Sequence, residues 1–169
     1  MTTYKNDTAN EFKQFQYQSP IGAIFLVFSQ KALTGVFLEK QGNIPLNNDK
    51  VINGFPLFNQ AVKEFEEYFS KKRKKFSLPL DFSGTDFQKK VWLELQKIPF
   101  GKTLSYKELA IKINHRKAYR AVGSANGKNP LCIVIPCHRV ISADGSLGGY
   151  SGGLDWKRKL LALENEMIK

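Results

Sequence analysis

Hydrophobic and polar residues alternate from Phe12 to Leu38 in a way that predicts a small β-sheet. The segment 12–18, FKQFQYQ, alternates residue by residue, and a Ser19-Pro20 turn follows it. The segments 21–28, IGAIFLVF, and 32–40, ALTGVFLEK, are rich in β-branched and aromatic residues. Short runs of this kind, bounded by turn residues, predict three consecutive strands.

The next two patterns predict a loop and then a helix. Residues 40–58 are rich in Asn, Gly and Pro, which is typical of a loop. Residues 59–76 carry apolar side chains at helical spacing, namely Ala61, Val62, Phe65, Tyr68 and Phe69. Five cations at 71–75 would lie in the last turns of this helix and suit its dipole. Solvation is the usual explanation of such a run, and contact with phosphate is the alternative.

Pro79 and Gly84 interrupt regular structure in residues 77–84 and predict a boundary between domains 1–82 and 83–169. Thr85 with Gln88, and Ser105 with Glu108, have capping-box spacing and predict two helix starts. The first helix would end before Ile98. The apolar residues of both helices would face a core. These residues are Phe87, Val91, Trp92, Leu95, Leu109, Ala110 and Ile113.

A polar turn at 114–117 and a third helix at 117–127 complete a pattern that resembles a helix-turn-helix. Ala118, Ala121, Val122 and Ala125 are its predicted apolar contacts. Its small residues would allow a close approach to DNA. Its other faces would carry Tyr119, Arg120, Ser124 and Asn126. The alternative is a pair of capped helices that only pack in a core.

The segment 131–140, LCIVIPCHRV, places reactive residues directly after an apolar run. Residues 131–135 predict a strand buried on both faces, and Pro136 would end it. Cys137, His138 and Arg139 then supply a nucleophile, a base and a cation. A free cysteine is often only a small buried hydrophobe, and Cys132 fits that interpretation. A catalytic Cys137 would need a third group elsewhere in the chain that orients His138.

Five glycines within 141–153 predict a close-fitting, turn-rich loop. The last segment, 154–168, predicts a helix whose apolar positions include Leu154, Trp156, Leu160, Leu161 and Leu163. Composition alone would make Glu164 a solvated charge on this helix.

Charge and cysteine content narrow the possible functions. Among 169 residues, 26 Lys and Arg outnumber 15 Asp and Glu, and the net charge of +11 favours a polyanionic partner or a solvated basic surface. Cys132 and Cys137 form neither a disulfide framework nor a CxxC metal motif, so a reducing, cytoplasmic location is expected. The longest apolar run, 21–28, is too short to span a bilayer, and residues 1–11 lack a signal-peptide core.

The second half contains four distinctive motifs: AVGSA at 121–125, GKNP at 127–130, IPCHRV at 135–140 and YSGGL at 150–154. Together they resemble the alkylguanine-DNA alkyltransferases, also called methylated-DNA–protein-cysteine methyltransferases. The resemblance runs from about Phe87 to Glu164. It implies an α+β fold, with a ribonuclease H-like sheet-and-helix domain before a winged helix-turn-helix domain. Some members hold zinc in the first half, but this half has no Cys or His, so neither a metal nor another cofactor is expected.

The resemblance implies a single-use repair reaction on double-stranded DNA by a monomer. Cys137 would take the alkyl group of an O6-alkylguanine, or of an O4-alkylthymine. His138 would remove the thiol proton through a water molecule, and Glu164 would orient His138. Tyr106 would donate a proton to the leaving base, and Asn129 would hold the turn before the active segment.

The resemblance also implies how DNA is held. Arg120 would fill the gap left in the duplex by the flipped nucleotide, while its helix lies in the minor groove. The further DNA-binding positions are Ala121, Gly123, Ser124 and Lys128. The base pocket would be lined by Val140, Tyr150 and Ser151.

Three other functions are the alternatives to this one. A damage sensor related to the family would lack the reactive cysteine, which is present here. A winged-helix transcription regulator would explain the charge and the helices, but not IPCHRV. A thiol hydrolase using Cys137 and His138 would need an oxyanion hole and repeated turnover.

Overall fold

The computed structural model describes residues 12–39, 46–47 and 55–165 of the chain. It divides into two compact units, Met1–Phe82 and Ser83–Lys169. The polar segment 1–11, most of the predicted loop 40–58, and the end of the last predicted helix lie outside the described residues.

The first unit contains the predicted three-stranded sheet. Strands β1 (Lys13–Ser19), β2 (Gly22–Phe28) and β3 (Leu33–Phe37) are antiparallel and adjacent in chain order. Ser19 pairs with Gly22 across the β1–β2 turn, and the Ser19 hydroxyl donates to the Gly22 carbonyl at 2.6 Å. The alternating and β-branched patterns therefore gave the correct strands.

Helix α1 (Pro56–Phe69) packs against β1 and closes the aromatic core of this unit. The helix starts at Pro56 and not at residue 59 as predicted. Proline is favourable at the first helical position, because a backbone N–H there would have no partner within the helix and proline has none. Rings from the sheet and the helix stack closely: the Phe15 and Phe58 centroids are 4.6 Å apart. The aromatic residues thus provide most of the large buried side chains.

The prediction that α1 continues to residue 76 was wrong. The Lys71 N–H donates to the Tyr68 carbonyl, and the Lys72 N–H donates to the Glu67 carbonyl, which is the Schellman pattern of a helix end. Lys71 adopts the left-handed conformation with φ of 62°. The cations at 71–75 therefore follow the helix instead of lying in its last turns. Arg73 folds back onto Glu67, with 2.8 Å between Nε and Oε2.

The second unit begins with three helices: α2 (Asp86–Leu95), α3 (Tyr106–Lys112) and α4 (Tyr119–Gly127). Thr85 and Ser105 cap α2 and α3 through complete capping boxes, as predicted. The Trp92 indole N–H donates to the Ala125 carbonyl at 2.8 Å and joins α2 to α4 in the core. Gly84 leaves room for this ring, because a Cβ there would lie 2.7 Å from it.

Two short strands complete the winged helix-turn-helix. Strand β4 (Leu104–Ser105) pairs in parallel with β5 (Val140–Ile141), and the glycine-rich loop follows β5. Helix α5 (Leu154–Glu164) ends the described chain. The predicted α+β class is confirmed. Within the described residues, no helix is long and apolar enough to cross a membrane.

Residues 131–135 do not form the predicted strand. Ile133 has φ of 73°, and the Ile135 N–H donates to the Leu131 carbonyl at 2.8 Å, so the segment is a compact turn. The predicted burial is correct, since residues 131–135 are all buried. The apolar composition correctly predicted that the segment is buried. Its conformation depends on Asn129, whose side chain forms hydrogen bonds with the backbone at both ends of the turn.

Replacing Lys71 by Gly should stabilise the chain. A non-glycine residue in the left-handed region is strained, so Lys71→Gly should raise the free energy of unfolding by about 1 kcal/mol. Urea unfolding followed by circular dichroism measures the change. Lys72→Gly is the matched control and should be neutral or destabilising. Equal effects of both substitutions would contradict strain at Lys71.

Candidate active site

Asn129 organises the backbone in front of the reactive segment. Its side-chain amide donates to the Ile135 carbonyl at 2.8 Å, and its side-chain oxygen accepts the Leu131 N–H at 3.0 Å. Both ends of the buried turn are thereby tied to one side chain. A buried backbone group without a partner is costly, so these two bonds fix the direction in which the chain enters the site.

Cys137, His138 and Arg139 form a short 3-10 helix directly after Pro136. The Asn126 side chain, predicted to lie on an outer face of α4, is instead buried and donates to the Cys137 carbonyl at 3.3 Å. The Cys137 thiol is itself buried. The Cys132 thiol and burial hold the pKa of Cys137 well above its usual value, although Asn129 and Lys157 act in the opposite direction.

Glu164, the last residue of α5, is the centre of a buried ionic network. Its Oε1 lies 2.9 Å from His138 Nε2. Arg139 donates to both carboxylate oxygens, each at 2.8 Å. The Gly101 N–H donates to Oε2 at 3.2 Å. Burial alone would raise the pKa of Glu164, but the hydrogen bonds from His138 and Arg139 hold it well below its usual range. Glu164 is therefore a buried carboxylate and not the solvated charge that composition suggested.

His138 is fully buried, and its two ring nitrogens have different environments. Nε2 is bound to Glu164, whereas Nδ1 has no hydrogen-bond partner among the described protein groups. Burial lowers the pKa of His138, and the opposing effect of Glu164 only partly offsets it. The ring is therefore neutral at pH 7 with Nδ1 available to accept a proton.

Lys157 is a buried cation that the sequence pattern does not predict. It is 0% exposed, and its Nζ donates to the Val140 carbonyl at 2.6 Å and to the Gly149 carbonyl at 3.2 Å. Burial lowers the pKa of Lys157 to about 8, with a smaller opposing effect from Cys137. This ammonium group joins strand β5 to the glycine-rich loop beside the thiol.

Tyr106, the first residue of α3, lies between the helices and the glycine-rich loop. Its hydroxyl donates to the Gly149 carbonyl at 3.3 Å. Burial and the nearby Cys137 raise the pKa of Tyr106, so the phenol keeps its proton. Gly148 has φ of 63°, and a Cβ there would lie 3.0 Å from the Tyr106 ring. Glycine is needed at this position for both conformation and space.

The three predicted pocket residues lie around the same segment. Val140 is fully buried in β5, Tyr150 is half-buried and Ser151 is exposed. The Ser151 hydroxyl is 3.9 Å from the Cys132 sulfur. The predicted DNA-binding residues are separate from this cluster. Arg120, Ala121, Ser124 and Lys128 are exposed on or directly after α4, while Gly123 is half-buried.

The structure brings most of the predicted catalytic side chains together, and two further charged side chains lie among them. The sequence identifies Arg139 only as a cation beside Cys137 and His138, and it assigns no role to Lys157. The spacing in the sequence could have indicated that Lys157 is buried. Lys157, Leu160 and Glu164 have helical spacing and share the buried face of α5. Leu154, predicted to be an apolar contact, is 46% exposed instead.

Both halves of the chain match models of one protein family. Residues 14–82 match the ribonuclease-like domain of 6-O-methylguanine DNA methyltransferase, and residues 86–166 match the DNA binding domain of the same family. Methylated-DNA–protein-cysteine methyltransferase of Methanosarcina barkeri is 47% identical over 153 residues, which is 90% of this chain and 96% of the relative. The protein of that name from Mycobacterium tuberculosis is 44% identical, over 86% and 88% of the two chains.

A solved structure is similar over the same length. The crystal structure of Mycobacterium tuberculosis OGT in complex with DNA has a TM-score of 0.81 and 41% sequence identity. The match covers 90% of this chain and 92% of that chain.

Removing the Lys157 charge should change how stability depends on pH. The usual lysine pKa of 10.5 falls to about 8 in the fold, so between these values the unfolded chain binds more protons. The stability of the wild type relative to Lys157→Met should therefore rise as pH increases from about 8 to 10. Urea unfolding at several pH values measures this difference. Lys159→Met, an exposed change on the same helix, is the control, and an equal pH response of both variants would refute the assignment.

Proposed function

Because the chain belongs to the 6-O-methylguanine DNA methyltransferase family, we propose that Cys137 accepts the alkyl group of O6-alkylguanine and that each molecule reacts once. The chain is an enzyme of the methylated-DNA–protein-cysteine methyltransferase class, and it repairs DNA by direct removal of an alkyl group. The sensor and regulator functions are not favoured, because curated relatives at 40–47% identity carry the transferase name.

One observation carries the assignment of Cys137. Its buried thiol directly precedes an imidazole whose Nε2 is bound by Glu164, so only Nδ1 of that imidazole can accept a proton. This is the arrangement of a nucleophile, its base and the group that orients the base. Cys132, the other cysteine, precedes a residue that cannot act as a base.

The raised pKa of Cys137 means that the resting thiol is protonated and must lose its proton during the reaction. His138 is neutral at pH 7 and can take this proton. Among the described contacts, no direct hydrogen bond joins the two side chains, so we propose that a water molecule carries the proton to Nδ1. The Glu164 carboxylate then stabilises the imidazolium that forms.

The bond changes of the transfer are those of a nucleophilic substitution. The sulfur of Cys137 attacks the alkyl carbon, the carbon–O6 bond breaks, and its electron pair moves into the guanine ring. Tyr106 holds its proton because of its raised pKa, and it can donate that proton to the leaving base. The product is a thioether, and no group of the site removes the alkyl group again.

Asn129 and Lys157 support this chemistry by holding backbone groups around the thiol in place through hydrogen bonds. Asn129 holds the turn that precedes the thiol, and Lys157 holds the Val140 and Gly149 carbonyls. Lys157 is therefore a positioning residue for the wall of the pocket. We propose that Val140, Tyr150 and Ser151 line that pocket, in which the flipped base would meet the thiol.

DNA binding follows from the exposed face of α4. A base inside a duplex cannot reach a buried thiol, so the nucleotide must be flipped out at a cost of a few kcal/mol. Arg120 is exposed and can enter the gap that remains in the stack. Ala121, Gly123 and Ser124 have small side chains that allow the helix to approach the minor groove, and Lys128 can contact phosphate.

The proposal needs one copy of the chain, because every site residue belongs to the second unit. It also fits a reducing compartment such as the cytoplasm, because both cysteines are free and the acceptor must remain a thiol.

Cys137→Ala should abolish alkyl transfer and leave binding to alkylated DNA. Intact-protein mass spectrometry after mixing with an oligonucleotide that carries one O6-methylguanine should show a gain of one methylene in the wild type, saturating at one per molecule. Peptide mapping should place the gain on Cys137. Cys132→Ala is the matched control and should still gain it. A gain that persists in Cys137→Ala would put the acceptor elsewhere.

Arg120→Ala should slow repair in duplex DNA more than reaction with a free O6-alkylguanine base. Losing about 1.4 kcal/mol of stabilisation of the flipped state would slow the duplex reaction about tenfold. The two rates are measured by quenching each reaction at a series of times and determining the alkylated fraction of the protein by mass spectrometry. Arg158→Ala, on the exposed side of α5, is the control. Equal slowing of both substrates by Arg120→Ala would argue against a role in flipping.

A further inference from the structure

The basic turn, residues 71–75 with the sequence KKRKK, is a charged surface that the proposed reaction does not use. Residues 1–82 carry 11 Lys and Arg and eight Asp and Glu, and five of these cations lie in the basic turn. Without them, the formal charge of the first unit would be −2 instead of +3. The positive charge of this unit is therefore concentrated at one place on its surface.

Arg73 differs from the four lysines of the basic turn, because its side chain binds the turn itself. Its Nε donates to Glu67 Oε2 at 2.8 Å, and its Nη1 donates to the Lys75 carbonyl at 3.0 Å. Nη1 also lies 3.6 Å from Oε2 of Glu64. One guanidinium thus ties helix α1 to the end of the basic turn, and its planar fork suits such paired contacts.

Glu64 anchors this arrangement in the core of the first unit. It is 2% exposed, and its carboxylate accepts both the N–H and the hydroxyl of Ser77 as well as the Gln60 amide. Burial alone would raise the pKa of Glu64, but the hydrogen bonds from Ser77 hold it below its usual value. A buried carboxylate therefore holds the chain on both sides of the basic turn, at α1 and at Ser77.

The four lysines of the basic turn are exposed, and within the described residues none of them forms an ion pair. They are Lys71, Lys72, Lys74 and Lys75. Lys71 keeps its side chain at a left-handed position, with φ of 62°, where glycine would relieve the strain but remove a charge. The basic turn thus presents four ammonium groups to solvent on a backbone that Arg73 holds in place.

We propose that the basic turn is a second DNA-binding surface, which contacts the phosphates of a duplex without reading its bases. The inference rests on the proposed function, since the DNA bound here is the DNA that the site repairs. A fixed backbone lets the lysines bind with less loss of conformational freedom, and each phosphate that they neutralise releases counterions. An ammonium group on a phosphate carries no sequence information, so this surface binds undamaged and damaged duplexes alike.

The neighbours of the basic turn favour DNA over a lipid surface. A basic segment that binds a membrane gains much of its affinity from apolar side chains that enter the interface. Phe76, the aromatic residue next to the turn, instead packs on Phe65 and Tyr68, with ring centroids 4.9 and 5.5 Å away. Exposed lysines beside a ring that packs within its own unit fit a phosphate backbone in water.

The salt dependence of binding tests the proposal on the full-length protein. Affinity for an undamaged, fluorescently labelled duplex is measured by anisotropy between about 50 and 200 mM salt. Lys72→Gln with Lys74→Gln removes two charges from the basic turn. Lys31→Gln with Lys63→Gln is the matched control, because it removes two exposed charges elsewhere in the same unit. Circular dichroism checks that all the proteins are folded.

The pair in the basic turn should lower the slope of log affinity against log salt by about 1.8, because each lost phosphate contact accounts for about 0.9. Over this salt range, the wild type should therefore lose about tenfold more affinity than that variant. The control pair should leave the slope unchanged. Equal slopes for the two variants would overturn the proposal. So would a variant of the basic turn that loses binding to phosphatidylserine vesicles but keeps its affinity for DNA.

The alkyl acceptor is tested separately on the same proteins. Both variants should react with a free O6-alkylguanine base at the wild-type rate, because the residues of the transfer site belong to the second unit. If the wild type transfers the alkyl group to Cys137 and the slope does not respond to the basic turn, the DNA-binding surface is wrong and the acceptor stands. If the slope responds and no transfer occurs in the wild type, the assignment of Cys137 is wrong.

Discussion

The buried carboxylate of Glu164 is the interaction on which the reactive segment depends. It binds His138, the Nε and Nη2 groups of Arg139 and the Gly101 N–H at once. A carboxylate removed from water is stable only where its oxygens are paired, and removing one partner of such a pair typically costs about 3–5 kcal/mol. Arg139 balances the charge of Glu164, and burial keeps the imidazole neutral.

His138 and Arg139 are neighbours in the chain, and both bind the Glu164 carboxylate. Arg139 also donates to the Ile98 carbonyl at 2.7 Å, so the 3-10 helix is held at its end by charged hydrogen bonds. Cys137 at its beginning is held by backbone contacts and by Asn126. The thiol is thus placed by groups that do not react, and His138 is left to handle the proton.

Local sequence patterns predicted the elements whose conformation is determined locally. The capping boxes at Thr85 and Ser105 form hydrogen bonds with helix N–H groups within one turn, so the residue spacing alone identifies them. The strands β1 to β3 were likewise predicted from local features, namely alternating or β-branched residues bounded by turn residues. The turn at 131–135 could not be predicted in this way, because β-branched residues favour strands and only the long-range packing around Asn129 reverses the chain at Ile133.

The catalytic side chains could be predicted only in part. Cys137 and His138 are identified by their position after an apolar segment and by the family motif. Arg139 and Lys157 were missed because a cation in a sequence is normally solvated, and nothing local reports that its partners are carbonyls or a buried carboxylate. The end of α1 was missed for a similar reason, since Lys71 adopts a conformation that glycine usually adopts at helix ends.

The hydrogen bond between Gly101 and Glu164 has a consequence for folding kinetics. The two residues are 63 positions apart, whereas α2 and α3 are each capped by residues three positions away. Contacts of high sequence separation form after local ones, because closing a long loop has an entropic cost. The helix-turn-helix should therefore fold before the thiol acquires its base. A chain on its way to the native state would then have a DNA-binding surface before it has a functional acceptor.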